Sequence, residues 1–174
     1  MKKLFLLFAV LTIGLFNSCP TQGATLEQVK KERVQQSLAT EEGKQIKKAV
    51  DKYSAIYKVD PLLTHAIILT ESGYYRFAKS PCGATGLMQL MPATFKARNV
   101  GNDIYAIDTN IHAGVKTYAG LIARYKGDIY MATAAYNMGG GALDSYGGKI
   151  PSHGKRYVDK VFYHKDFVLN DINL

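Results

Sequence analysis

The sequence predicts a mainly α-helical domain. Apolar side chains recur at three- and four-residue spacing through much of the chain, and no alternating apolar and polar run reaches strand length. Proline, glycine and Asp-Pro signals separate the periodic segments, and no repeat at solenoid period is present. With 174 residues and 47% hydrophobic content, the chain suffices for one domain with a real core.

The first segment is of a different kind. Lys2-Lys3 precede an almost wholly apolar run over 4–16 (LFLLFAVLTIGLF), followed by small and polar residues through Ala24, the layout of an export signal over residues 1–24. The run is too short for a membrane span, which needs roughly 20 residues as a helix. Cleavage is expected before or near Ala24. Phe16-Asn17-Ser18-Cys19 is a poor lipoprotein box, so a lipid anchor on Cys19 is the minor alternative to a free periplasmic protein.

Residues 25–44 form an N-terminal linker or loose helix, because 25–40 (TLEQVKKERVQQSLAT) is polar with weak periodicity. The folded domain is read over 45–174. From 41 the pattern sharpens: Ile46, Ala49, Val50, Tyr53, Ile56 and Tyr57 lie on one helix face. Asp60-Pro61 supplies an N-cap and first-turn proline for a second helix running toward Gly73. Pro92 opens a short helix through Arg98. Ile111, Val115, Tyr118, Ile122 and Tyr125 predict a helix of about four turns, ended near Gly127-Asp128. Met131–Tyr136 is a short apolar helix halted by Gly139-Gly140-Gly141, and Val158, Val161, Phe162, Phe167 and Val168 predict a final helix.

Without residues 1–24 the chain keeps 20 basic against 14 acidic residues, a net charge of +6, which suits an anionic surface or polymer outside the cytoplasm. Nucleic acid is not indicated, since the basic residues are scattered and no groove-reading or base-stacking motif is present. With Cys19 removed or lipidated, Cys82 has no partner and the fold holds without disulfides. His65, His112, His153 and His164 lack metal-binding spacing. Neither metal nor cofactor is expected.

The chemistry centres on Glu71, which closes the apolar run Ala66-Ile67-Ile68-Leu69-Thr70 and is followed by Ser72-Gly73. Apolar surroundings and the carbonyl end of a helix both disfavour its charged form, as a general acid requires. An exposed glutamate at a fraying helix end is the plainer reading of this residue alone. Downstream, Gly83 and Gly86 precede Gln89 set among Leu87, Met88, Leu90 and Met91. A lone amide in an apolar run is a candidate for binding a sugar hydroxyl or acetamido group, or it is a core cap beside a turn. Ala134-Ala135-Tyr136-Asn137 then meets a triple-glycine loop, offering an aromatic face and a hydroxyl.

Glu71-Ser72, Gly86-Leu87-Met88-Gln89-Leu90-Met91-Pro92 and Ala135-Tyr136-Asn137-Met138-Gly139, in that order, resemble the catalytic domain of the soluble lytic transglycosylases over roughly residues 45–165. The resemblance implies a lysozyme-like helical fold and cleavage of peptidoglycan between N-acetylmuramic acid and N-acetylglucosamine. It makes Glu71 the single catalytic acid and base, places Ser80, Gln89, Met91 and Tyr136 along the sugar subsites, and has Asn137 shape the adjoining loop. It implies a non-hydrolytic reaction, in which Glu71 protonates the glycosidic oxygen, the substrate's acetamido group stabilises the anomeric carbon, and the resulting carboxylate takes the C6 hydroxyl proton to close a 1,6-anhydro ring. Tyr136 would help orient this step. No second acid stands in a motif, because Asp103, Asp108 and Asp128 read as caps or loop residues.

The partner implied is the peptidoglycan glycan strand, met by an exported, periplasmic, monomeric enzyme. The short chain resembles specialised members found with secretion, conjugation or pilus machines. One departure stands near the C-terminus, where His153 replaces the glutamate that many members carry four residues before a Tyr-Val pair, here Tyr157-Val158. Other readings are a goose-type lysozyme, which shares the fold but adds water, a non-catalytic peptidoglycan-binding scaffold, and a cationic membrane-active protein, which would leave the three motifs unexplained.

Overall fold

The computed structural model describes residues 25–169, so the predicted export signal and Cys19 lie outside the described residues. Eight α-helices follow in order: α1 Leu26–Ala39, α2 Glu41–Tyr57, α3 Pro61–Glu71, α4 Pro92–Arg98, α5 Ile107–Arg124, α6 Ile129–Met138, α7 Gly140–Asp144 and α8 Ser152–Tyr163. A π-helical segment, His164–Leu169, continues from α8. Among the described residues there is no strand, only two isolated bridges, Lys79 to Thr85 and Thr85 to Leu90. The mainly α class is the one observed.

Of the two readings of 25–40, the helix is the observed one. Thr25 and Gln28 form a capping box, with the Gln28 N–H donating to the Thr25 hydroxyl at 3.2 Å and the Thr25 N–H to Gln28 Oε1 at 2.7 Å. The helix hides little of itself, Val34 being its buried residue, which is why its periodicity is weak in the sequence. At the α1–α2 junction a Cβ on Gly43 would stand 2.3 Å from the Ser37 carbonyl oxygen, so only glycine allows this close approach.

α2 lies along α5. Ile46, Val50 and Tyr53 of α2 meet Ile111, Val115 and Tyr118 of α5 in one core, completed by Leu63, Ile67 and Ile68 of α3. The segment predicted as four turns begins earlier and runs 18 residues, Ile107–Arg124, because Ile107 is itself buried. α6 and α8 pack together, and Gly154 lets α8 approach Met138, whose Sδ would sit 2.6 Å from an added Cβ. The last helix is two pieces, with α8 giving way to the π-helical segment that packs on α3 and α1.

Candidate active site

α3 is built to end at Glu71. Asp60 accepts the Leu62 N–H at 2.9 Å and Pro61 opens the helix. At the other end Ser72 donates both its N–H and its hydroxyl to the Ile68 carbonyl, at 3.0 and 3.1 Å, and Gly73 and Tyr74 turn away at positive φ of 59° and 67°. The helix therefore stops at Glu71, two residues before the predicted Gly73. The carboxyl is half-buried, and Oε1 accepts the Tyr157 hydroxyl of α8 at 2.6 Å. Burial pushes its pKa up, while the Tyr157 hydrogen bond and the Lys160 charge offset part of that effect.

Opposite runs the loop between α3 and α4. Ser80 closes a tight turn on Ala84: its hydroxyl accepts the Ala84 N–H at 3.0 Å and its own N–H donates to the Ala84 carbonyl at 2.9 Å. Thr85 and Leu90 exchange both backbone hydrogen bonds at 3.0 Å around Gly86 and Gln89, which sit at positive φ of 84° and 45°. A left-handed backbone at a non-glycine residue persists only where its surroundings hold it. Gln89 Nε2 donates to the carbonyls of Ala78 and Gly86 at 3.1 and 3.0 Å, which leaves Oε1 as its free hydrogen-bonding atom.

The loop is moored to α5 by Asn110, a buried side chain that accepts the Met88 N–H at 2.9 Å and donates to the carbonyls of Thr85 and Ile104 at 3.2 and 2.7 Å. Gly86 packs against this amide so closely that a Cβ would lie 2.1 Å from Asn110 Nδ2. A second mooring comes from α6, where the Tyr136 hydroxyl donates to the Met88 carbonyl at 2.9 Å. The Tyr136 ring stands edge-on to Tyr118, 5.8 Å between centroids, and the Tyr118 hydroxyl pairs with Thr133 at 2.7 Å. Burial, then the Glu71 charge, raises the Tyr136 pKa well above that of a free phenol.

Glu71, Ser80, Gln89, Met91, Tyr136 and Asn137 all line one cleft of about 580 Å³. Residues from α3, the following loop, the start of α4 and the end of α6 thus converge on one cleft. Tyr157 completes the group from α8. Sequence reasoning passed over it as half of a Tyr-Val pair, and only its recurrence with Glu71 could have signalled the contact. The three aspartates that could have offered a second acid are otherwise engaged. Asp103 accepts the Tyr105 N–H at 2.8 Å, Asp108 accepts the Tyr53 hydroxyl at 2.6 Å, and Asp128 caps α6 through the Met131 N–H at 2.9 Å.

Residues 48–158 match the Transglycosylase SLT domain family. The chain belongs to that family. The matched span of this SLT domain contains every residue just described at the cleft, and leaves α1 and the π-helical segment outside it. A transglycosylase of Enterobacteria phage PRD1 is 40% identical over 103 residues, covering 56% of this chain and 38% of that protein. The peptidoglycan transglycosylase gp16 of Escherichia phage T7 is 36% identical over 87 residues, covering 47% of this chain and 7% of that protein. The SLT domain thus spans well under two thirds of the relatives it matches. In fold it is similar to the 70 kDa soluble lytic transglycosylase SLT70 of Escherichia coli, with a TM-score of 0.64 at 24% identity over 70% of this chain and 23% of that one. The fold is the lysozyme-like helical one of that enzyme.

His153, which stands where many members have glutamate, is exposed at the start of α8 and packs edge-on to Tyr146 at 5.9 Å. His65 is fully buried and pairs with the Tyr74 hydroxyl at 3.0 Å. Among the described residues no group of three or more His, Cys, Asp or Glu could hold a metal ion. Cys82 is free and exposed beside Ser80 on the cleft. No helix of the described residues is long and apolar enough to cross a membrane.

Proposed function

We propose that this SLT domain is a peptidoglycan lytic transglycosylase acting outside the cytoplasm, with Glu71 as both acid and base. The observation that carries the reading is the half-buried Glu71 carboxyl on the cleft wall, hydrogen-bonded by Tyr157, as the one acidic side chain lining the cleft among the described residues. Burial favours its protonated form, which is the form that can donate to the glycosidic oxygen. Hydrolases of the two-carboxylate type place a second acid within about 5–9.5 Å. Here the substrate's own acetamido group takes the second role. It closes on the anomeric carbon as the bond to the leaving N-acetylglucosamine breaks, and the Glu71 carboxylate then accepts the C6 hydroxyl proton as O6 displaces it. The product carries a 1,6-anhydromuramyl end and no water is consumed.

In this mechanism Tyr157 donates to the carboxylate formed midway. Tyr136 holds the Met88 carbonyl, and with it the loop carrying Gln89, while its ring lines the sugar path. Gln89 Oε1 is an acceptor suited to an acetamido N–H, Ser80 and Met91 flank it, and Asn137 shapes the opposite rim. The protein works as a monomer, opening the wall locally for an envelope-spanning secretion, conjugation or pilus apparatus. Copurification of such an apparatus from the source cell supports this last part, and its absence removes it.

The central test is digestion of purified sacculi by the protein and by Glu71→Gln, with the soluble products read by mass spectrometry. Products lighter by one water than lysozyme products, lost in Glu71→Gln, are expected. Reducing ends would make the protein a hydrolase. Bound but uncut sacculi would make it a scaffold.

A further inference from the structure

Among the described residues two charged side chains line the cleft, Glu71 and Arg98, and they are opposite in sign. Arg98 ends α4, one turn beyond Thr94, and both face the cleft because residues four apart share a helix face. Its guanidinium has no hydrogen-bond or ion-pair partner among the described residues, and its Nε is buried with that donor unmet. The Lys116 ammonium donates to the Arg98 carbonyl at 3.0 Å, which brings a second positive charge near this residue. A partly buried, unpaired guanidinium is unfavourable until an anion meets it, and its planar fork matches a carboxylate.

A bare chain of N-acetylated sugars has little to offer such a group. Peptidoglycan strands do, because the lactyl ether of each muramyl residue bears a peptide with free carboxylates. We propose that Arg98 is a carboxylate-binding residue of the cleft that receives the stem peptide of a bound muramyl residue, so that the protein favours peptide-bearing strands with charged peptides. The inference rests on the transglycosylase reading above, and it concerns which strands are cut rather than how. In this reading Glu71 carries the reaction and Arg98 the selection of strands.

The test uses three substrates prepared from one batch of sacculi: native strands, strands whose peptide carboxylates have been converted to neutral amides, and strands stripped of peptide by an amidase, which keep only the lactyl carboxylate. The native protein should cut native strands with kcat/KM about tenfold or more above amidated ones, as expected for a charge-assisted hydrogen bond, with the difference carried in KM. Arg98→Gln should bring that ratio close to one, and Arg98→Lys should keep part of it, the charge being present without the fork. Melting temperatures of both variants show whether the fold is intact, and the ratio within each variant is independent of the amount of active protein. An unchanged ratio in Arg98→Gln overturns the proposal, as does a native protein indifferent to amidation. Stripped strands cut as well as native ones would move the recognised carboxylate to the lactyl group and overturn the peptide assignment. If the native protein cuts none of the three, the transglycosylase reading itself falls and takes this inference with it.

Discussion

Replacing Asn110 by alanine should unfasten the loop that carries Gln89, and the structure sets the size of the effect. One buried amide makes three hydrogen bonds, to the Met88 N–H and to the carbonyls of Thr85 and Ile104. At a net value near 1 kcal/mol per bond the loss is about 3 kcal/mol, and leaving the Met88 N–H buried without an acceptor takes it toward about 5 kcal/mol. For a domain of this size about 3 kcal/mol lowers Tm by roughly 6–12 °C. Calorimetry or far-UV circular dichroism reads this directly. Asn110→Asp is the informative companion. It keeps an acceptor for Met88 but turns a carboxylate oxygen toward two carbonyls, so it should be at least as destabilising at neutral pH and recover as acidification lets the side chain donate. A fall in Tm below about 2 °C for Asn110→Ala would refute the reasoning, since it would mean the loop holds itself without α5.

Three further outcomes are expected. Burial raises the folded Glu71 carboxyl above its ordinary 4.5, so the stability it allows is full below that value and is lost as pH rises through the folded pKa; Glu71→Gln removes this loss and should melt above the native protein at pH 8 but not at pH 4. Equal melting at both pH values would show that the carboxyl is not destabilised by the fold. Tyr157→Phe deletes a hydrogen bond that favours the carboxylate, so the alkaline limb of the activity profile, where Glu71 loses its proton, should move to higher pH; a limb that stays in place would detach Tyr157 from the acid. His164 is held at about 4 against an ordinary 6.5, by burial first and then by the charges of Lys160 and Lys30. A depressed pKa contributes stability above 6.5 that is lost as pH falls toward 4. His164→Gln, whose amide can still donate to Thr70, should therefore flatten the decline in Tm over that window, and an equally steep decline would refute the assignment.

The helices were legible because their signals are local. Asp60-Pro61 marks a start, a stripe such as Ile111, Val115 and Tyr118 marks a buried face, and neither needs knowledge of what packs on it. Helix ends were less legible. The stop at Glu71 depends on Ser72 returning to Ile68, and the early start at Ile107 depends on a core that buries it. The sequence of α1 reads equally as linker or helix because Val34 is its one buried residue, so apolar periodicity has almost nothing to report.

At the site, residue types in three short motifs were enough to name Glu71, Gln89 and Tyr136, since an acid closing an apolar helix and an amide in an apolar loop stand out from their neighbours. The sequence by itself determined a mainly helical domain, the family to which it belongs and six of the side chains that line the cleft, though neither Arg98 there nor Tyr157 beside Glu71. Only the tertiary structure decided what each of those side chains does there. Tyr157 reaches Glu71 across 86 residues because α8 docks beside α3, Asn110 reaches Met88 across 22, and Gln89 uses its nitrogen on the loop, which leaves its oxygen free. Local pattern records which face of a helix is apolar, whereas hydrogen bonds between distant elements follow from how those faces pack, and no short window of sequence contains that packing.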